Sequence, residues 1–163
     1  MIDLFAASPL DLTACFITVI CGFIIGFERQ WSGKPAGIRT SILICLSAYT
    51  FVSIGQFYQP EVGSIRIVGQ IVTGVGFLGA GVIISKEGLV LGVTSAAVIW
   101  ILAAVGSLAG LGNYGAAIWL TLITIFVLVG ITGLERLLKK LKRGVHKELS
   151  STQPNPDQQE DLD

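Results

Sequence analysis

Side chains that could carry out chemistry are few in this chain of 163 residues, of which only 13% are charged. The one histidine, His146, lies in the C-terminal tail. No carboxylate pair, and no nucleophile with a nearby base, falls within the long apolar segments, although acid–base and covalent catalysis require such groups within hydrogen-bond reach. The sequence therefore predicts a protein that is not an enzyme, with no catalytic, metal-binding or cofactor-binding residue.

A polar cluster follows the first apolar segment, in the stretch GFERQWSGKPAGIRT. Its residues of interest are Glu28, Arg29, Gln30, Gly37, Arg39 and Thr40. The first three come where one apolar segment ends, and the last two begin the next. Because the loop between them is short, we expect Glu28 to pair with Arg39 and fix the two helix ends, although an exposed pair contributes only about 0–1 kcal/mol.

A second motif, GQIVTGVGFLGAG, spans residues 69–81 and combines five glycines with one amide side chain. At 100° per residue, its small residues form two neighbouring stripes on a helix. The first stripe holds Gly69, Thr73, Gly76 and Ala80, and the second holds Gln70, Gly74, Phe77 and Gly81. The opposite side carries Ile71, Val75, Leu78 and Val82, which we expect to face lipid. The pattern predicts a central helix that packs closely on two faces.

The amide of Gln70 leaves two functions open for this helix. A polar side chain within an apolar segment needs hydrogen-bond partners, and such groups often mark functional positions in membranes. Close packing against other helices accounts for the glycines, and a lined pathway would account for them as well. Gly22 and Gly26, and likewise Gly106 and Gly110, are also four residues apart, which is typical of transmembrane helix packing.

The elements that must position these residues are apolar segments long enough to cross a bilayer. Hydrophobic residues make up 52% of the chain, and a spanning helix needs about 20 of them. The predicted spans are 10–27, 38–57, 67–85, 89–111 and 114–134. The sequence therefore predicts an all-α membrane protein with a five-helix transmembrane domain over residues 1–134. Cys15, Cys21 and Cys45 fall within these spans and are expected to pack as small apolar groups.

Basic residues set the predicted orientation, because they concentrate in cytoplasmic loops. With five spans and the N-terminus outside, ten of the eleven basic residues lie inside and only Arg66 lies outside. If residues 69–81 formed a re-entrant loop instead, eight would lie inside and three outside. The count favours five spans with a cytoplasmic C-terminus.

The segment after the last span is basic and then acidic. Residues 135–149 place leucines at helical spacing among basic residues, which predicts a short amphipathic helix lying on anionic lipid headgroups. Residues 150–163 are polar and acidic and contain proline, so we expect this tail to be disordered.

Three motifs resemble the MgtC/SapB family of bacterial inner-membrane proteins: GFERQW…AGIRTS, GQIVTGVGFLGAGVI and GVTSAAVIW. The similarity covers Gly22 to about Gly112. It implies a multi-pass plasma-membrane protein tied to magnesium homeostasis under magnesium limitation and, in pathogens, to virulence. Some members are associated with restraint of the proton-driven ATP synthase. Beyond the polar cluster, the motif positions are Gln70, Gly74, Gly76, Gly79, Gly81, Gly92, Thr94, Ala97 and Trp100.

The chain departs from the family pattern at two points, and both affect the function that we expect. From the resemblance we expect a short, membrane-only type of member, and Leu91 stands where the family often has arginine. We expect a regulatory membrane protein that works by helix contact with a membrane-protein partner or as a homo-oligomer, and no nucleic-acid partner. The alternative is a small transporter for Mg²⁺ or another cation, although the family is not securely a set of transporters.

Overall fold

The computed structural model describes residues 10–60, 62–86 and 89–150, with Lys86, Leu89 and residues 135–150 described by their backbone alone. The elements are α1 (Leu12–Trp31), α2 (Ile38–Tyr58), α3 (Gly63–Gly81), β1 (Ile84–Lys86), β2 (Leu89–Leu91), α4 (Val93–Gly110) and α5 (Tyr114–Ser150). The five helices are each long and apolar enough to cross a membrane. The expectation of an all-helical membrane protein with five candidate spans is confirmed.

The helix bounds differ from the predicted spans mainly around α3. That helix begins at Gly63 and ends at Gly81, earlier than predicted at both ends. The apolar residues that follow form an antiparallel hairpin of β1 and β2, with Ser85 opposite Val90, and α4 then begins at Val93. Hydropathy counted the hairpin residues into the neighbouring spans, because short apolar strands and helix ends look alike in composition.

Gly92 joins the hairpin to α4 and must be a glycine. Its φ is 90°, in the left-handed region, and an added Cβ would collide with the carbonyl oxygen of Val82. Any other residue here would combine backbone strain with a steric clash. The turn therefore fixes where α4 begins.

The centre of the bundle is formed by α4 packed against α2. In α4, 56% of the span is buried inside the protein, whereas in α3 the figure is 22%. The close approach occurs at two glycines: a Cβ on Gly106 would collide with the Cys45 carbonyl, and one on Gly110 would lie 2.7 Å from the Cβ of Val52. On the other side of α2, a Cβ on Gly22 of α1 would lie 2.9 Å from the Cα of Ile42.

The expectation that α3 is the central helix, with its branched side facing lipid, is wrong. Val75 and Gly79 are buried, whereas Gly69, Gln70, Thr73 and Gly81 are exposed. A Cβ added to any of Gly69, Gly74, Gly76 or Gly81 would meet nothing within 4 Å. The two stripes were assigned correctly to shared faces of one helix, but those faces point outwards.

The chain divides into two compact units, Met1–Phe126 and Val127–Asp163, and α5 contributes residues to both. The backbone is helical through Ser150, so the predicted basic helix at 135–149 falls within α5. Its placement on a lipid surface stays a prediction. Residues 151–163, which hold nearly all of the predicted acidic tail, lie outside the described residues.

The contrast between inward and outward glycines gives a direct prediction. Gly106→Ala should lower the free energy of unfolding by about 1–3 kcal/mol, because the new methyl group overpacks the α2–α4 seam. Gly76→Ala should leave it unchanged or raise it by up to about 1 kcal/mol, since alanine favours the helix. Thermal unfolding of dilute protein in detergent, followed by circular dichroism, measures both. Equal destabilisation by the two substitutions would contradict the outward placement.

Candidate functional site

The polar cluster is organised around a buried arginine at the end of α1. Arg29 is only 2% exposed, and its guanidinium donates a hydrogen bond to the hydroxyl of Ser95 in the first turn of α4. Its Nε atom is buried and finds no hydrogen-bond partner among the residues that the structure describes. A buried cationic group with an unmade hydrogen bond is costly unless its remaining interactions are strong. The Arg29–Ser95 bond therefore ties the end of α1 to the start of α4.

The expected pair between Glu28 and Arg39 is not formed. Oε1 of Glu28 accepts a hydrogen bond from the Ser32 hydroxyl at 2.8 Å, and Oε2 is buried without a hydrogen-bond partner among the described residues. Arg39 is exposed at the start of α2. The carboxylate is taken by a serine one turn further along its own chain, which costs less side-chain ordering than reaching across the loop.

The loop between α1 and α2 is closed by Gln30 instead. Oε1 of Gln30 accepts a hydrogen bond from the backbone N–H of Ile38, the first residue of α2, at 3.4 Å. Gly37, the residue that caps this helix, has no side chain for the role, and a Cβ there would approach the same oxygen to 3.0 Å. The structure thus brings together Gln30 and Gly37, two of the predicted site residues, in place of the expected pair.

The third motif contributes one contact and two outward residues. The indole of Trp100 lies against Gly79 of α3, where an added Cβ would be 3.6 Å from the indole nitrogen. Thr94 and Ala97 are exposed on α4. Ser95 was not among the predicted site residues, although it lies within the motif GVTSAAVIW, because its burial depends on how α1 and α4 are turned towards each other.

The glycine motif borders a groove between α2 and α3. The groove has a volume of about 650 Å³ and is almost entirely apolar, with Thr40 and Ser47 of α2 and Gln70 of α3 as its polar residues. The structure therefore brings Thr40, from the first motif, and Gln70, from the second, to one surface. Gly74 lines the same groove.

The opposite end of the bundle holds a second group of polar side chains, around Asp11, which was not among the predicted sites. The Tyr49 hydroxyl accepts from the Asp11 backbone N–H at 2.7 Å and donates to the Asp11 carbonyl at 3.0 Å, while the Tyr114 hydroxyl donates to the Asp11 carboxylate at 3.0 Å. Asp11 also caps α1, and the hydrogen bond from the Ala14 N–H lowers the pKa of its carboxyl from the usual value. These contacts fix the start of α1 against α2.

Over the described ranges 10–60, 62–86 and 89–150, no three His, Cys, Asp or Glu side chains lie close enough together to hold a metal ion. Cys21 and Cys45 are buried as free thiols, and Cys15 is half-buried. The thiol of Cys45 donates to the carbonyl of Leu102 at 3.2 Å, within the α2–α4 seam. The cysteines therefore pack within the bundle, as the sequence predicted.

The chain is similar over most of its membrane region to a known group of proteins. A sequence profile described as the MgtC family matches residues 15–137. The chain is 40% identical over 118 residues to "Putative magnesium transporter YhiD" of Escherichia coli K12, covering 68% of this chain and 54% of that protein. It is 41% identical over 105 residues to "Protein MgtC" of Salmonella typhimurium, covering 64% and 45%. The chain spans about half the length of these curated relatives, and no solved structure matches it.

The buried arginine gives a prediction that double substitution can test. Ser95→Ala should lower the free energy of unfolding by about 1–3 kcal/mol, because it leaves a buried guanidinium donor without its acceptor. In the Arg29→Met background the same change should cost much less, so the two substitutions should be strongly non-additive. Thermal unfolding measures the cycle, and Ser107→Ala, also buried on α4, serves as the control. Additive effects of the two substitutions would show that the bond carries no stability.

Proposed function

Because the chain belongs to the MgtC family, we propose that it is a regulatory protein of the bacterial plasma (inner) membrane that supports adaptation to magnesium limitation or related stress. It acts through helix–helix contact with another membrane complex or with itself. The proton-driven ATP synthase, which the family resemblance implies, is the candidate complex. In this proposal the Glu28–Thr40 end of the bundle faces the cytoplasm.

The observation that carries this proposal is the outward face of α3. Four glycines on it, Gly69, Gly74, Gly76 and Gly81, have open space where a Cβ would be. Each glycine destabilises a helix by about 1 kcal/mol relative to alanine. No close contact within the described part of the chain requires a glycine at these four positions. Since close backbone approach is what holds helices together in lipid, such a face is suited to another transmembrane helix.

The basic residues in the predicted helix at 135–149 also support the proposal, because binding to a lipid surface would help to orient the protein in the membrane. The predicted helix at 135–149 would gain about 1 kcal/mol for each basic residue near an anionic leaflet. The proposal therefore assigns this segment to anionic lipid headgroups and leaves α3 as the surface for protein contact.

The alternative function is transport of Mg²⁺ or another cation, which the name of the Escherichia coli relative favours. Mg²⁺ in proteins is usually held through one or two carboxylates together with water. Between Glu28 and Glu61 the sequence has no acidic residue, and none occurs between Glu61 and Glu87. A transport site in the groove would have to depend on Gln70 and hydroxyl groups alone, so we place regulation first.

Growth at low magnesium tests the proposal in a host that lacks its own copy of the gene. Gly76→Leu should express and insert normally, since its position is open in the fold, yet lose the growth benefit because the added side chain keeps a partner helix away. Gly115→Leu on α5 is the matched control, because a Cβ added to Gly115 also meets nothing within 4 Å. If the Gly76→Leu strain grew like the wild type at wild-type protein levels, the proposal that this face of α3 binds a partner helix would be wrong.

Arg39→Ala serves in the same experiment as the variant for the α1–α2 end. Arg39 is exposed, so its loss should reduce growth at low magnesium without preventing membrane insertion. Unchanged growth of this strain would remove Arg39 from the proposal and leave the α3 face as its only contact surface.

A further inference from the structure

The groove between α2 and α3 combines apolar walls with a few polar side chains. It opens on the side of the bundle, and its walls are apolar residues such as Leu43 and Phe51 of α2 and Leu78 of α3. The exposed fractions of Leu43, Phe51 and Leu78 are 61%, 55% and 48%. In a membrane such walls are compatible with lipid, so the largest of the groove's three polar side chains decides what covers it.

That polar group is the amide of Gln70. It is exposed on this chain and lines the groove, and none of the side-chain hydrogen bonds between described residues involves it. Gln70 lies only about 3 Å along the axis from the midpoint of α3, at 1.5 Å per residue. It therefore faces hydrocarbon rather than water, where an amide without partners costs several kcal/mol.

A large apolar side chain projects beside the groove. Phe77 is 82% exposed and lies seven residues after Gln70, which places both on one side of α3. Gly74 and Gly81, which share its stripe on the helix, have no side chains of their own. The same surface thus presents a projecting ring, a flat backbone and a groove.

We propose that this surface binds a second copy of the chain, with the two α3 helices parallel about a two-fold axis along the membrane normal. Both copies are inserted in the same direction, so each Gln70 meets the other at the same depth. An amide donates and accepts, and two of them can satisfy each other with a reciprocal pair of hydrogen bonds. The Phe77 ring of each copy enters the groove of the other beside Gly74 and Leu78.

Self-complementarity is what selects a second copy over a different protein. The projecting ring and the groove belong to one surface, as an isologous interface requires. No charged residue lies between Arg66 and Lys86, so no like-charge repulsion opposes the contact within the hydrocarbon. The inference rests on the proposed function only in using the same face of α3, and it names the occupant of that face.

Cysteine cross-linking in membranes tests the arrangement with full-length chain in which Cys15, Cys21 and Cys45 are replaced by alanine. Thr73→Cys, on the outward face, should form a disulfide-linked dimer on mild oxidation. Val72→Cys, at nearly the same depth but turned about 100° around the helix, should not. Equal cross-linking at the two positions, or a Thr73→Cys product with the mass of a heterologous complex, would overturn the second copy as occupant.

A measurement that keeps the native cysteines covers the case in which the alanine background fails to fold. Energy transfer between C-terminally labelled chains in liposomes should show dimers for the wild type. Gln70→Leu should weaken association about three- to thirty-fold, as expected for hydrogen bonds between helices in lipid, and Gln70→Asn should recover part of it. Thr50→Val, which removes a hydroxyl bonded within its own helix, is the control. Energy transfer at the level of randomly mixed chains would overturn the proposal.

Failure of this inference and failure of the proposed function can be told apart. If Thr73→Cys does not cross-link and Gly76→Leu still loses growth at low magnesium, the face binds a different membrane protein and the dimer is wrong. If Thr73→Cys cross-links and Gly76→Leu grows normally, the dimer stands and the regulatory use of this face is wrong.

Discussion

Backbone packing of α4 against α2 is the interaction on which the remaining structure depends. Lipid is as apolar as a leucine side chain, so helices in a membrane are held by close approach and a few hydrogen bonds rather than by exclusion of water. Gly106 and Gly110 allow that approach, and no side chain would fit at Gly106 without displacing the Cys45 carbonyl. The thiol of Cys45 adds a hydrogen bond to Leu102 within the seam. Because both faces of this seam are filled, α4 becomes the buried helix of the bundle.

The seam also determines which groups are left for function. At one end Arg29 ties α1 to α4 through Ser95, and at the other the Tyr49 hydroxyl holds the start of α1 through both backbone groups of Asp11. With α1, α2 and α4 fixed in this way, α3 meets the bundle along its four buried residues, Gly63, Ser64, Val75 and Gly79. Its remaining surface, which includes the amide of Gln70 near the midpoint of the helix, is turned away from the chain. The functional proposal follows from that unpartnered surface.

The sequence predicted features that depend on neighbouring residues, such as helix spans and glycine spacing. It did not predict which way each helix is turned within the bundle. Five apolar segments of spanning length are visible from composition, and the Gly106–Gly110 spacing correctly indicated helix packing. Periodicity also grouped Gln70 and Gly74 on one face, but it could not give the direction of that face, because lipid-facing and protein-facing sides of a transmembrane helix are both apolar. Ser95 was missed for the same reason. Hydropathy could not separate the β1–β2 hairpin from the helices beside it.

Ion flux through purified protein in sealed liposomes tests the central claim, that the outward face of α3 serves helix contact rather than ion passage. Magnesium- and pH-sensitive dyes would report transport, with Gln70→Leu as the comparison and circular dichroism confirming that both proteins are folded. The account predicts that flux with the wild type equals that of empty liposomes. Flux above that level, lost in Gln70→Leu, would contradict it and make α3 the wall of a pathway.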